Sequence, residues 1–227
     1  MQLSRRLEKA RRFLSWRLAW RGVPLWWHVG RPNFGDDINP SFFRAVAGRP
    51  VRFAVNRRGP HILGAGSILE KSTSESVVCG AGFLQPPARA MPRPAAVVAV
   101  RGERSLAAAG LPDTTLLGDP LVLLDALVPP VVKRHRHGLV PHVDSVRRWR
   151  EAVRGRSLLI HPGGDPWKVV EAIASCEVVL SQSLHGLIVA DVFERPSVFE
   201  AGVGRYRHSK EAYRRAIAEA CRRLAGE

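Results

Sequence analysis

The sequence predicts an α/β protein made of two parallel-sheet halves. Three observations point there: short apolar runs of strand length recur along the chain, several run into glycine-rich turns, and stretches of helical periodicity follow them. With 227 residues, 45% of them hydrophobic, the chain can bury a sizeable core. No apolar run approaches the roughly 20 residues that cross a bilayer. The longest, residues 97–100 and 121–124, are strand-length, so no transmembrane segment is expected.

In chain order, residues 1–22 come first. Leu3, Leu7, Ala10, Leu14 and Leu18 recur at helical spacing with Arg5, Arg6, Lys9 and Arg12 on other faces, which predicts a basic amphipathic helix. Such a helix either docks on the core with a solvated arginine face or lies on an anionic membrane surface, where each basic residue adds about 1 kcal/mol. These residues are charged throughout and lack the uncharged core of a secretory signal. The chain is therefore read as cytoplasmic, with peripheral contact at the inner face of the membrane as the functional use of the helix.

Residues 23–130 form the first α/β domain. Residues 25–29 read as a strand, 30–39 as a loop, and Pro40 and Ser41 open a helix with Phe42, Phe43 and Val46 inward. Strands are expected at 61–63 and 76–79, each running into glycines, and at 95–100 ahead of a helix over 103–109. The apolar residues 116–117 and 121–124 close this half. Pro129, Pro130 and the basic stretch 133–137 mark a linker, residues 131–137. The second α/β domain, 138–227, repeats the alternation with strands at 138–141, 157–161, 178–181 and 197–200. Helices fall at 145–153, 166–175 and 184–193, and a terminal helix at 209–224. Two such halves facing a cleft give the default place for a ligand.

A net charge of +15 raises nucleic acid first. Yet only five of the 35 basic residues are Lys, a compositional bias, and the ends carry most of the excess: +6 over residues 1–22 and +4 over 205–227. Trp16 and Trp20 are interleaved with basic residues, but no nucleic-acid module surrounds them, so no nucleic-acid partner is expected. The three cysteines, Cys79, Cys176 and Cys221, are too widely spaced for a metal knuckle and read as buried small hydrophobes. No His, Cys and carboxylate set has metal-ligand spacing, so no metal is assigned.

Four loops sit where a strand hands over to a helix, the edge at which open parallel sheets bind ligands. In the first, residues 30–39, Asn33 and Gly35 stand beside the paired carboxylates Asp36 and Asp37, which can accept from sugar hydroxyls or act as a general base. Asp37 or Asn39 could equally cap the following helix. The second holds Gly64 and Gly66, a weak phosphate signal. In the third, Arg101 lies at a strand end just before a helix N-terminus, where guanidinium and helix dipole can converge on one anion. The fourth, residues 181–186, joins Ser181, Ser183, His185 and Gly186 at the start of a helix, where the two hydroxyls and the backbone N–H groups around Gly186 are expected to bind an anionic donor. There His185 is the candidate proton donor or anion ligand.

Taken in order, Asn33-Phe34-Gly35-Asp36-Asp37, Gly64-Ala65-Gly66, Val100-Arg101-Gly102, Leu117-Gly118-Asp119-Pro120, Leu139-Val140-Pro141-His142 and residues 181–190 resemble the polysaccharide pyruvyl transferase family. The resemblance implies a glycosyltransferase-B-like fold. It also implies transfer of a pyruvyl group from phosphoenolpyruvate onto two hydroxyls of an exopolysaccharide sugar, giving a ketal, with no other cofactor. The acceptor it implies is a glycan on a lipid carrier. The family carries an arginine where this chain has Ser183, so another cation must meet the donor carboxylate. Arg101 is the leading candidate and Lys168 the second. His185 would protonate the donor methylene, Asp36 or Asp37 would orient or deprotonate the acceptor hydroxyl, and His142 would line the cleft. The rival readings are a sugar-nucleotide glycosyltransferase on the same fold and a non-enzymatic polyanion-binding protein.

Overall fold

The computed structural model describes residues 22–199 except positions 88, 152 and 154, together with Leu14, Arg215, Ile217, Ala218, Cys221 and Leu224. The basic helix assigned to residues 1–22 and the terminal helix assigned to 209–224 therefore lie outside the described residues, apart from those single positions. No helix of the described residues is long and apolar enough to cross a membrane.

The chain forms two all-parallel sheets. The first contains β1 (Val23–Trp26), β2 (Val51–Phe53), β3 (His61–Leu63), β4 (Ser76–Cys79) and β5 (Ala96–Ala99) in the order β2-β1-β3-β4-β5. The second contains β6 (His135–Val140), β7 (Ser157–Leu159), β8 (Cys176–Ser181) and β9 (Ser197–Phe199) in the order β7-β6-β8-β9. Helices α1 (Phe34–Asp37), α2 (Asn39–Ala47) and α3 (Glu103–Ala108) belong to the first half. Helices α4 (Val146–Arg150), α5 (Pro166–Ala174) and α6 (Leu184–Val192) belong to the second. Strands β3 and β4 are buried throughout, as central parallel strands covered on both faces are, and their two polar residues, His61 and Ser76, hydrogen-bond each other at 2.9 Å.

In each sheet the chain lays its second strand on one side of the first, then crosses back to the other side. That reversal puts a switch point between β1 and β3 in the first half and between β6 and β8 in the second. Connections diverge there, and the carboxyl ends of the strands leave a crevice. Both switch points face the junction between the halves. Phe34 donates its backbone N–H to Pro162 at 2.7 Å, and the Trp167 indole on α5 donates to Ser41 Oγ on α2 at 3.0 Å. One hydrophobic cluster runs through both halves, from Leu25, Trp27, Phe34 and Phe42 to Val170, Ile173 and Ile188. The halves thus meet across packed side chains at this junction.

Three local assignments change. The linker expected at 131–137 ends early, because His135, Arg136 and His137 already pair in β6, with His137 opposite both Ser157 and Val178. Their polar side chains sit at the amino end of the strand, half-buried or exposed, so the backbone extends without burying charge. The loop expected at 30–39 contains the short helix α1, which Asn33 and Asp37 build between them: Asn33 Oδ1 accepts from Gly35 N–H, and Asp37 Oδ2 accepts from Asn33 N–H at 3.1 Å. This is the reciprocal logic of a capping box. Strand β2, three residues long, carries too little pattern to be read from sequence, yet it creates the first switch point.

Candidate active site

At the first switch point the Asn39 side chain joins two strand-end loops. Its Oδ1 accepts from Ala65 N–H at 2.8 Å, and its Nδ2 donates to the carbonyls of Ala65 and Asp36. Wholly buried, this amide fixes α1 against the 64–66 turn. Gly66 has φ +129°, and a Cβ there would stand 2.9 Å from Asp36 Oδ1, so the turn must be glycine for the carboxyl to lie against it. Asn33 and Asp37 are spent on the helix itself.

Arg101 follows β5 and is 8% exposed. Its guanidinium donates to Ser67 Oγ at 2.9 Å and to the Phe83 carbonyl at 2.8 Å, two of five N–H groups. The Arg101 charge acts on both Asp36 and Asp119. Asp119, absent from the sequence-predicted site, is fully buried at the start of the 3-10 helical segment Pro120–Ala126, where its Oδ1 accepts from Leu121 N–H at 3.0 Å.

The second half brings His185. Ser183 caps α6, with Oγ accepting from Gly186 N–H, while Ser181 Oγ donates to the Ser183 carbonyl and accepts from Ser183 N–H. Both hydroxyls expected to bind a donor therefore fold the turn that points His185 across the junction. The ring packs against Phe34 edge-on, and a Cβ on Gly35 would sit 1.9 Å from His185 Nδ1, so only glycine lets the two halves approach this closely. The 3-10 segment packs on α6, and His185 Nε2 comes to 3.7 Å from Asp119 Oδ2. Neither atom has a hydrogen-bond partner among the described residues, and both are buried.

Burial dominates the electrostatics. It raises Asp36 to about 7, aided by the Asp37 charge and opposed by Arg101. It raises Asp119 to about 6 against the Leu121 N–H bond and Arg101. It lowers His185 to about 3, with Arg101 acting in the same direction. A desolvated imidazole beside a guanidinium favours its neutral form at physiological pH. The group that holds a proton near neutrality is the Asp36 carboxyl.

Two expected site residues stand apart from this cluster. Lys168 is exposed on α5, where its backbone N–H donates to the capping Asp165 carboxylate. His142 is exposed after β6, with its backbone N–H held by Gln182 Oε1. Gly64 lies against Asn39, and Gly186 against Ser181, so both serve close packing of the turns. Asp119 could have been found from the Gly118-Asp119-Pro120 signal, an aspartate capping a proline-started helix directly after a strand-like run.

The family model for polysaccharide pyruvyl transferase matches residues 33–201, which hold every side chain of the cluster. The chain belongs to the polysaccharide pyruvyl transferase family. It is similar to the succinoglycan biosynthesis protein ExoV of Rhizobium meliloti (strain 1021), with 27% identity over 192 residues. That similarity covers 76% of this chain and 57% of the relative, so the chain spans somewhat more than half the length of the curated relative it matches. No solved structure matches it. In this pyruvyl transferase family member, the shared segment runs from the helix-capping Asn33 to just beyond β9, so the match takes in the whole second sheet and every strand of the first except β1.

Proposed function

We propose that the protein transfers the pyruvyl group of phosphoenolpyruvate onto two hydroxyls of an exopolysaccharide sugar, forming a ketal and releasing phosphate, on two halves arranged as in glycosyltransferase-B enzymes. The observation that carries the reading is the convergence of Arg101, Asp36, Asp119 and His185 where both sets of strand ends meet, within the family segment. Arg101 supplies fixed positive charge for the donor carboxylate or phosphate, and its unused N–H groups are available for it.

The reaction needs two proton movements. The first acceptor hydroxyl gives its proton to His185 as its oxygen bonds to the donor carbon. The double-bond electrons take the Asp36 proton at the methylene, which becomes a methyl group. The second hydroxyl then displaces phosphate and returns a proton to Asp36. The proton on His185 leaves with the phosphate. Both groups have the protonation state their step requires: a neutral imidazole can accept, and a carboxyl raised to about 7 can donate.

The proposal extends to a chain working without a resident cofactor or metal, in the cytoplasm, on a lipid-linked glycan at the inner membrane face. The test is phosphate release from phosphoenolpyruvate by purified protein with a soluble glycoside diol, in the presence of chelator. Release is expected. Turnover only with a nucleotide sugar would move the protein to the glycosyltransferase reading.

A further inference from the structure

Asp119 and His185 come from opposite halves of the molecule, and each leaves one polar atom buried and unpartnered. Among the described residues Asp119 Oδ2 has no donor and His185 Nε2 no acceptor, and 3.7 Å separates them. Two desolvated groups of complementary type do not remain unpaired without a desolvation cost that no bond offsets. Closing by less than 1 Å would satisfy both at once. The other carboxylate oxygen is already fixed by Leu121 N–H at 3.0 Å, so Oδ2 is aimed rather than free to rotate away. On the ring, Nδ1 is the nitrogen lying against Gly35, on the side of α1 and Asp36.

We propose that Asp119 is a positioning residue that holds His185 in its Nε2–H form, leaving Nδ1 as the unprotonated nitrogen offered to the acceptor hydroxyl. This rests on the pyruvyl-transfer reading for what Nδ1 does, but the tautomer itself follows from the pairing alone. The pair acts as a dyad whose members lie in different halves. When Nδ1 takes the hydroxyl proton, the imidazolium is stabilised by the carboxylate across the Nε2–H bond; when phosphate departs, Nδ1 releases that proton to it. No proton need pass to Asp119. The other charge that bears on the ring is Arg101 after β5, which opposes its protonation, while the Asp36 and Asp37 carboxyls stand on α1 beside Gly35.

The deciding measurement uses the unligated wild-type protein labelled with 15N in histidine. The ring-nitrogen shifts of His185, assigned by their absence in His185→Gln, should report the Nε2–H tautomer near neutral pH. An Nδ1–H tautomer overturns the inference whatever reaction the protein catalyses. In Asp119→Asn, the amide oxygen can keep the Leu121 bond while the NH2 group donates to Nε2, forcing the opposite tautomer. Turnover should then fall about 100-fold or more, with phosphoenolpyruvate affinity unchanged or tighter, and the tautomer signature should invert. Retained turnover in that variant overturns the positioning role. Absence of phosphoenolpyruvate turnover in the wild type, with the Nε2–H tautomer present, sinks the pyruvyl-transfer reading and leaves the pair standing.

Discussion

The two switch points use polar residues in opposite ways. Between β6 and β8, Ser181, Ser183, Gln182 and His142 satisfy one another and the local backbone, so the crevice is closed by its own hydrogen bonds. Between β1 and β3, the buried Asn39 amide satisfies the backbone, and the charged groups around it are left facing the junction. The first half therefore supplies the charge, and the second supplies a rigid turn that delivers one imidazole. Neighbouring polar residues in sequence do not make a site; what matters is which of them the turn leaves unspent.

The largest expected effect comes from removing the cation that this division depends on. Arg101→Met leaves Asp36 and Asp119 buried with nothing opposing their mutual repulsion, a loss of about 3–5 kcal/mol at pH 8. Urea denaturation should show a much smaller loss at pH 5, where both carboxyls are protonated in the folded state. Equal losses at the two pH values would mean that the guanidinium acts through packing alone. Donor binding should be abolished in the same variant.

Next is the contact between the halves. Gly35→Ala places a methyl group within the van der Waals radius of His185 Nδ1, and overpacking of this kind costs about 1–3 kcal/mol. Because the ring must move, turnover should fall far more than stability does. A variant with full turnover would show that the halves separate in the working enzyme.

Much of this arrangement was legible in the sequence, and what was not has physical causes. The alternation of apolar runs, glycine turns and helical stretches was enough to read a parallel α/β protein, because buried parallel strands cannot be written any other way. Arg101 and His185 stood out as charged or titratable residues at strand ends. Strand β2 was invisible because three residues, with Arg52 in the middle and Pro50 just before, give no period. Residues 135–137 looked like a linker because charge at the open end of a strand reads as solvation. Asp119 was hidden for a different reason: its partner lies 66 positions away in the other half, and sequence order says nothing of that meeting. The turn bonds of Ser181 and Ser183 were not legible, because a hydroxyl bound to its own turn has the same letter as one bound to substrate.

The carboxyl on the first half gives a gain rather than a loss. Asp36 is raised from its ordinary 3.8 to about 7, so the folded state holds a proton that the unfolded chain gives up. Its contribution to stability is fully present below about 3.8 and is lost as pH rises through about 7. Asp36→Asn should therefore stabilise the protein at pH 8 by roughly 1–3 kcal/mol while leaving it little changed near pH 4. Turnover should be lost, since the amide has no proton of suitable acidity. The wild-type affinity for phosphoenolpyruvate should fall as pH rises through about 7, because an ionised Asp36 repels the anionic donor. A donor affinity that rose with pH would mean that the Asp36 carboxylate does not face the donor.

The smallest effect separates a cap from a ligand in the second half. Ser183 accepts from Gly186 N–H at 3.4 Å, a long bond, so Ser183→Ala should cost about 0.5–1 kcal/mol and Ser183→Gly only a few tenths, since glycine tolerates the extended cap conformation. As a cap Ser183 offers nothing to the donor, so on that reading phosphoenolpyruvate affinity should match the wild type in both. The two substitutions delete the same hydroxyl but differ in what they do to the backbone. A difference between them in stability, with equal donor affinity, identifies a capping residue. Equal and several-fold losses of donor affinity, with stability untouched, would return Ser183 to the donor site and place a polar contact on the half that otherwise delivers only His185.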